Sequence, residues 1–347
     1  MTDLAEPGGN AGAAGDPLAE VHPDLREAAA AAPQFVMSDE TLALMRAGLA
    51  ERSADRLPDA DPDLVCQPAV VPGRDGEPDV GVLIYRRANH PANAPAIITL
   101  HGGGYLIGNA ATSDRTSREW ARAGLTVIAV DYRLAPEHPY PAALNDAWSV
   151  LAWAAGEAGG GGANGAARNR DRDWDRSRIL VTGDSAGGGL AAALALLARD
   201  RGGPALAGQV LIYPMLDDRT RAEPHRAGPD GTLVWPCPSN QYAWRCYLGE
   251  AAGGEVPPYA APARAEDLRG LPPTFMGTGS LDLFYRENLD YARRLAQAGV
   301  PVATFVVEGG FHGFDSLAPD AAVTRHFGRA ARSTVPFLLE CARKDEA

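Results

Sequence analysis

Lysine is nearly missing from this chain of 347 residues: Lys344 is the only one, so arginine carries almost all of the basic charge, a bias that reads as base composition. Acid outweighs base, and the formal net charge is −12 at pH 7. With no basic face left to neutralise phosphates, the charge argues against a nucleic-acid partner. Cysteine is scarce as well. The four, at 66, 237, 246 and 341, show neither metal-ligand spacing nor a dense disulfide pattern, so no metal, cofactor or disulfide scaffold is expected. No apolar run approaches the ~18 residues needed to span a bilayer, which argues against membrane insertion. The opening MTDLAEPGGNAGAAGDP carries acid and glycine where a signal peptide needs a basic start and an apolar run, and the expected location is cytoplasmic.

Apolar residues make up 46% of the chain, enough for one large core. The runs VGVLIYRR, AIITL, TVIAVDY, RILVTGD, GQVLIYPM, TFMGTGS and ATFVVEGG are separated by helix-length stretches, the alternation of a doubly wound parallel sheet. This alternation starts near Val65. Residues 23–57 hold two helix-like patches with an SDE capping signal between them. Residues 1–17 read as a disordered tail, and 156–173 as a low-complexity loop without function.

Between the strand RILVT and the small-residue stretch GGLAAALALLA lies GDSAG, residues 183–187. A serine at so tight a turn sits in strained backbone, and flanking glycines let the chain approach closely. Ser185 is the candidate nucleophile. A hydroxyl needs a base, and the base needs an orienting group. With the chain order nucleophile, acid, histidine, only His225, His312 and His326 qualify as base. His225 falls in a polar Pro- and Gly-rich loop, and His326 in a helix-like stretch. His312 follows the run VATFVVEGG and sits just past a strand end. Among the acids between them, Asp282 alone follows a strand-like segment directly; it also reads as an N-cap for the helix after it, and Asp315 is the weaker rival. The glycines of HGGGY, residues 101–105, free backbone amides to face a developing oxyanion: Gly103 and Gly104 are the expected donors, with Ala186 as the third. His101 reads as a structural tie within that loop.

HGGGY, DYRLAPEHPYPAAL at 131–144, GDSAGGGL at 183–190, Asp282 at a strand end and EGGFHGFD at 308–315 together resemble the bacterial hormone-sensitive-lipase-like (family IV) carboxylesterases of the α/β-hydrolase superfamily. After the acid, where that family often reads DPLRD, this chain reads DLFYRE. The resemblance implies an α/β-hydrolase fold, with a mostly parallel eight-stranded sheet flanked by helices and roofed by a helical cap. On that plan residues 18–60 and 215–258 are the two cap segments, and 61–214 with 259–347 the catalytic domain. It implies a small-molecule ester with a short to medium acyl chain, cleaved through an acyl-enzyme. Leu106, Phe284 and Phe311, adjacent to motif residues, and Trp235, Tyr242 and Trp244 of the second cap segment are the candidate pocket lining. Asp131, Arg133 and Glu137 read as scaffolding. The same machinery suits a small-amide hydrolase or deacetylase, and the same fold can serve as a non-catalytic ligand receptor. A homodimer is left open.

Overall fold

The computed structural model describes residues 18–33, 36–54, 61–157, 173–221 and 233–344. The tail 1–17, His225 and most of the low-complexity loop lie outside them. Eight strands form one sheet: β1 (Leu64–Val71), β2 (Val80–Arg87), β3 (Ala94–Leu100), β4 (Thr126–Asp131), β5 (Trp174–Asp184), β6 (Gly208–Ile212), β7 (Thr274–Gly279) and β8 (Val302–Val307). Their spatial order is β1-β2-β4-β3-β5-β6-β7-β8, antiparallel at β1–β2 and β2–β4 and parallel from β4 onward. This is the mostly parallel, eight-stranded sheet that the sequence leads one to expect.

Ten helices accompany it among the described residues: α1 (Arg26–Ala31), α2 (Asp39–Ala54), α3 (Asp114–Arg122), α4 (Ala142–Ala154), α5 (Ala186–Asp200), α6 (Cys237–Leu248), α7 (Tyr285–Gln297), α8 (Phe314–Leu317), α9 (Ala322–Ser333) and α10 (Val335–Lys344). The central strands are near-continuous apolar runs because helices cover both faces. Ile98, Val181 and Leu211 pack with α4, α5 and α7; Ile97, Leu180 and Val210 pack with α3, α9 and α10. Helix α5 is buried from Ala186 through Ala198, which explains why it is built from Ala, Gly and Leu and has no polar face. No described helix is long and apolar enough to cross a membrane.

The segments on either side of the core meet above the carboxyl ends of the strands. The Met37 amide donates to Ser239 Oγ (2.9 Å), and the Tyr242 hydroxyl donates to Asp39 Oδ1 (2.5 Å), joining the start of α2 to α6. Arg46 of α2 reaches down to the core, donating to the carbonyls of Leu106 (2.9 Å) and Ala135 (2.7 Å) and pairing with Glu137 (2.6 Å). Arg133 grips Asp146 through the side chain (2.7 Å) and also pairs with Glu77 (2.6 Å), tying the loop after β4 to α4. These ion pairs give Arg133 and Glu137 the scaffolding place expected of them.

Candidate active site

In an open parallel sheet, loops at the carboxyl ends of the strands converge, and ligands bind there. Five such loops meet here, following β3, β5, β6, β7 and β8. After β5 the chain turns at Ser185, whose backbone (φ 56°, ψ −121°) lies in a region costly for any residue with a Cβ. Three hydrogen bonds hold it: Ser185 N–H to the Ile212 carbonyl (2.9 Å), and the amides of Met215 (2.9 Å) and Gly189 (3.0 Å) to the Ser185 carbonyl. The flanking glycines are there for want of space. A Cβ at Gly183 would fall 2.2 Å from the Gly187 carbonyl oxygen, and one at Gly187 would fall 2.0 Å from that of Leu100.

Ser185 Oγ lies 3.0 Å from His312 Nε2, and His312 Nδ1 lies 2.8 Å from Asp282 Oδ2. All three residues are buried. The other carboxylate oxygen of Asp282 accepts the Phe284 amide at 2.8 Å, so one carboxylate both faces the imidazole and shapes the turn into α7. Asp315, the rival acid, is engaged elsewhere: its Oδ1 accepts the Tyr213 hydroxyl at 2.6 Å. The His312 ring is enclosed edge-on by Tyr213 (centroids 4.9 Å apart) and Phe284 (5.1 Å), with Trp235 at 6.5 Å. An imidazole so confined keeps one orientation, with one nitrogen toward the hydroxyl and the other toward the carboxylate.

The loop 101–106 is held peptide by peptide. Burial pushes the His101 imidazole down to about 4, so it is neutral; its Nδ1 lies 2.8 Å from the Gly102 carbonyl oxygen, which can only accept, so Nδ1 carries the proton. The Tyr132 hydroxyl donates to the His101 carbonyl (2.6 Å), and the Tyr132 ring stacks on the imidazole at 4.1 Å. C=O and N–H point in opposite directions across a trans peptide. Fixing the Gly102 carbonyl on His101 therefore sends the Gly103 amide the other way. Gly103 and Gly104 both have left-handed φ (117° and 63°), and no described residue accepts a hydrogen bond from their amides or from that of Ala186. Such groups can stabilise an anion.

The aromatic candidates fall into two sets. Phe284 and Trp235 reach His312, and the Trp235 ring also lies over Gly104, where a Cβ would come within 2.4 Å of it. Leu106 and Phe311 are fully buried in packing clusters, Tyr242 is bonded to Asp39, and Trp244 packs on Tyr105 (5.9 Å). Sequence reasoning passed over Tyr213, Tyr132 and Arg46, whose parts depend on partners far along the chain. It also passed over Glu287, a buried carboxyl pushed well up by desolvation, which accepts the amides of Leu216 (2.6 Å) and Asp217 (3.3 Å) and so pins the loop after β6. A cavity of about 600 Å³ opens beside the site, with Gly102, Gly103, Asp184, Tyr213 and Asp315 in its wall. Among the described residues, no cluster of three His, Cys, Asp or Glu could hold a metal ion.

A family model described as an alpha/beta hydrolase fold matches residues 97–316. The esterase LipI of Mycobacterium tuberculosis is 36% identical over 263 residues, covering 74% of this chain and 78% of that protein. The carboxylesterase NlhH of the same organism is 37% identical over 291 residues, or 79% and 84% of the two chains. Among solved structures, a bacterial heroin esterase superposes with a TM-score of 0.81 at 36% identity, covering 92% of this chain and 98% of the other.

Proposed function

The chain belongs to the α/β-hydrolase family and is a carboxylesterase of the kind that resembles hormone-sensitive lipase, and we propose that it cleaves esters with Ser185 as nucleophile, His312 as general base and Asp282 as the group that orients the base. The observation carrying this reading is the unbroken hydrogen-bond chain from Ser185 Oγ through His312 to Asp282, at 3.0 and 2.8 Å.

Ser185 Oγ attacks the ester carbonyl while its proton passes to His312 Nε2. Asp282, facing Nδ1, stabilises the imidazolium that forms. The carbonyl oxygen becomes an oxyanion and is met by the amides of Gly103, Gly104 and Ala186; each such donor contributes about 3 to 4 kcal/mol of transition-state stabilisation. The proton on Nε2 then goes to the departing alkoxide, leaving Ser185 acylated. Water, deprotonated by the same nitrogen, attacks the acyl-enzyme and releases the acid.

Residues 18–60 and 215–258 act as a cap. The bonds at Ser239 and Asp39 join the described parts of these segments, and Trp235 lies over Gly104; both support an enclosed acyl pocket rather than an open lipid-binding face. Each methylene adds about 0.8 kcal/mol of burial only while there is room for it. A series of nitrophenyl esters from acetate to palmitate, assayed below their aggregation limits, tests this. The expected kcat/KM peaks at acyl chains of about two to eight carbons. A maximum at twelve carbons or longer, with activation at an oil–water interface, overturns the reading of the cap.

A further inference from the structure

Asp184 takes no part in the mechanism above, yet it is bonded to Ser185 and its carboxylate lies against the oxyanion loop. A Cβ added at Gly102 would fall 2.4 Å from Asp184 Oδ2, so the carboxylate lies directly against the Gly102 peptide, whose N–H favours its charged form. The peptide joining His101 and Gly102 has its carbonyl bonded by Tyr132, and Asp184 packs against its Gly102 end. The next peptide has its carbonyl on His101 Nδ1 and its N–H, that of Gly103, unused. Asp184 is thus next to Ser185 along the chain and has its carboxylate packed against the loop.

We propose that Asp184 is a positioning residue for the oxyanion loop: as a carboxylate it holds the Gly102 amide and fixes the Gly103 amide relative to Ser185, and on protonation it loosens that hold.

A carboxylate here is costly, which argues that the charge itself is used. No arginine or lysine among the described residues forms an ion pair with Asp184, and its accessible edge faces the cavity. The groups facing it are Asp315 at the start of α8, His312 after β8, Tyr132 after β4 and Tyr213 after β6; Arg115 of α3 lies toward Asp315. Desolvation, and secondarily the like charge of Asp315, push the Asp184 carboxyl up to about 7. An asparagine would fit the same space without that cost, but an amide oxygen accepts a hydrogen bond less strongly than a carboxylate.

The proposal rests on the reading of Gly103 as an oxyanion donor. Its test is steady-state hydrolysis of nitrophenyl butyrate from pH 5 to 9 by the wild type, Asp184→Asn and Asp315→Asn. Inhibition by phenylboronic acid, whose serine adduct places an oxygen in the oxyanion hole, is measured alongside. Asp184→Asn is expected to lower kcat by about 10- to 100-fold with KM within threefold, and to weaken phenylboronic acid in parallel with kcat/KM. The acid limb of log kcat/KM should fall more steeply than a slope of one in the wild type, over the range in which Asp184 protonates, and with a slope of one in Asp184→Asn. Asp315→Asn removes a neighbouring like charge, so one of the two wild-type ionisations should move to lower pH while the alkaline plateau stays within threefold.

A wild-type limb of slope one that Asp315→Asn does not move, or an Asp184→Asn enzyme within threefold of wild type, overturns the proposal. If Asp184→Asn fails to fold, the Asp315→Asn shift decides alone. Labelling by a fluorophosphonate separates the two readings. Wild type labelled and Ser185→Ala unlabelled keeps the nucleophile assignment even if Asp184 proves inert, whereas an unlabelled wild type brings down the mechanism itself.

Discussion

Tyr105 lies flat against Tyr247, their ring centroids 3.8 Å apart and their planes within 10° of parallel. One ring belongs to the HGGGY loop and the other to α6, so the loop is pressed between the core and α6. Tyr105 is also one of the few non-glycine residues with a left-handed φ (62°), a conformation the stack helps to hold. Tyr247→Ala should cost about 3 to 5 kcal/mol of stability and lower kcat further than Tyr247→Phe, which keeps the stack. Urea denaturation and nitrophenyl butyrate turnover of the two variants check this; equal kcat in both would mean that the stack does not reach the chemistry.

At position 185, chemistry and backbone strain can be separated. Ser185→Ala and Ser185→Gly should both lose activity by about 10⁴-fold or more while staying folded. Only glycine relieves the strain of φ 56°, ψ −121°, so Ser185→Gly should be the more stable of the two by about 1 kcal/mol. Thermal unfolding of the pair is the measurement. An alanine variant at least as stable as the glycine variant would mean that the turn stores no strain.

Arg46 allows a surface ion pair to be told from a clamp. Its pairing with Glu137, which is 55% exposed, is worth at most about 1 kcal/mol, so Glu137→Ala should be close to wild type. Arg46→Ala also strands the carbonyls of Leu106 and Ala135 and should be clearly more damaging. Denaturation midpoints of both variants, with kcat for each, decide it; equal losses would reduce Arg46 to its charge.

The raised Asp184 carboxyl makes a stability prediction of definite sign. Its folded value, about 7, stands above the ordinary 3.8, so the folded state binds the proton more tightly and this group's contribution to stability falls as pH rises from about 4 to 7. Above pH 7 the wild type carries the cost of the part-buried charge, which asparagine lacks. Asp184→Asn should therefore melt higher than wild type at pH 8, with the gap narrowing toward pH 5. A gap that does not depend on pH would show that Asp184 does not titrate in this range.

How much of this was written in the sequence depends on how far apart the cooperating residues are. Strand β2 coincides with the run VGVLIYRR, and the other strands fall within a few residues of their apolar runs, because a run buried on both faces needs only local hydrophobicity to declare itself. Ser185, His312 and Asp282 sit at the ends of such runs, in an order that left few competitors. What stayed hidden is pairwise. β4 inserts between β2 and β3, which no local pattern announces. Asp184 occupies the variable position of GxSxG, and its role appears only once Gly102 and Asp315 stand beside it. Tyr213 reads as the end of a strand until its hydroxyl is seen on Asp315, 102 residues away. The aromatic residues of 233–248 were visible as a cluster, but which of them face His312 is set by how α6 lies on the loop.

Helix α5, buried from Ala186 through Ala198 directly behind Ser185, has a consequence for motion. Its amides should exchange with solvent only when the whole domain opens, because no partial fluctuation wets a helix without an outer face. Ser185 is therefore anchored to a part of the molecule that should open slowly. On the proposed mechanism, accommodation of differently shaped esters would fall to the opposite wall, to α6 and the segments around it, so substrate range could drift without disturbing Ser185.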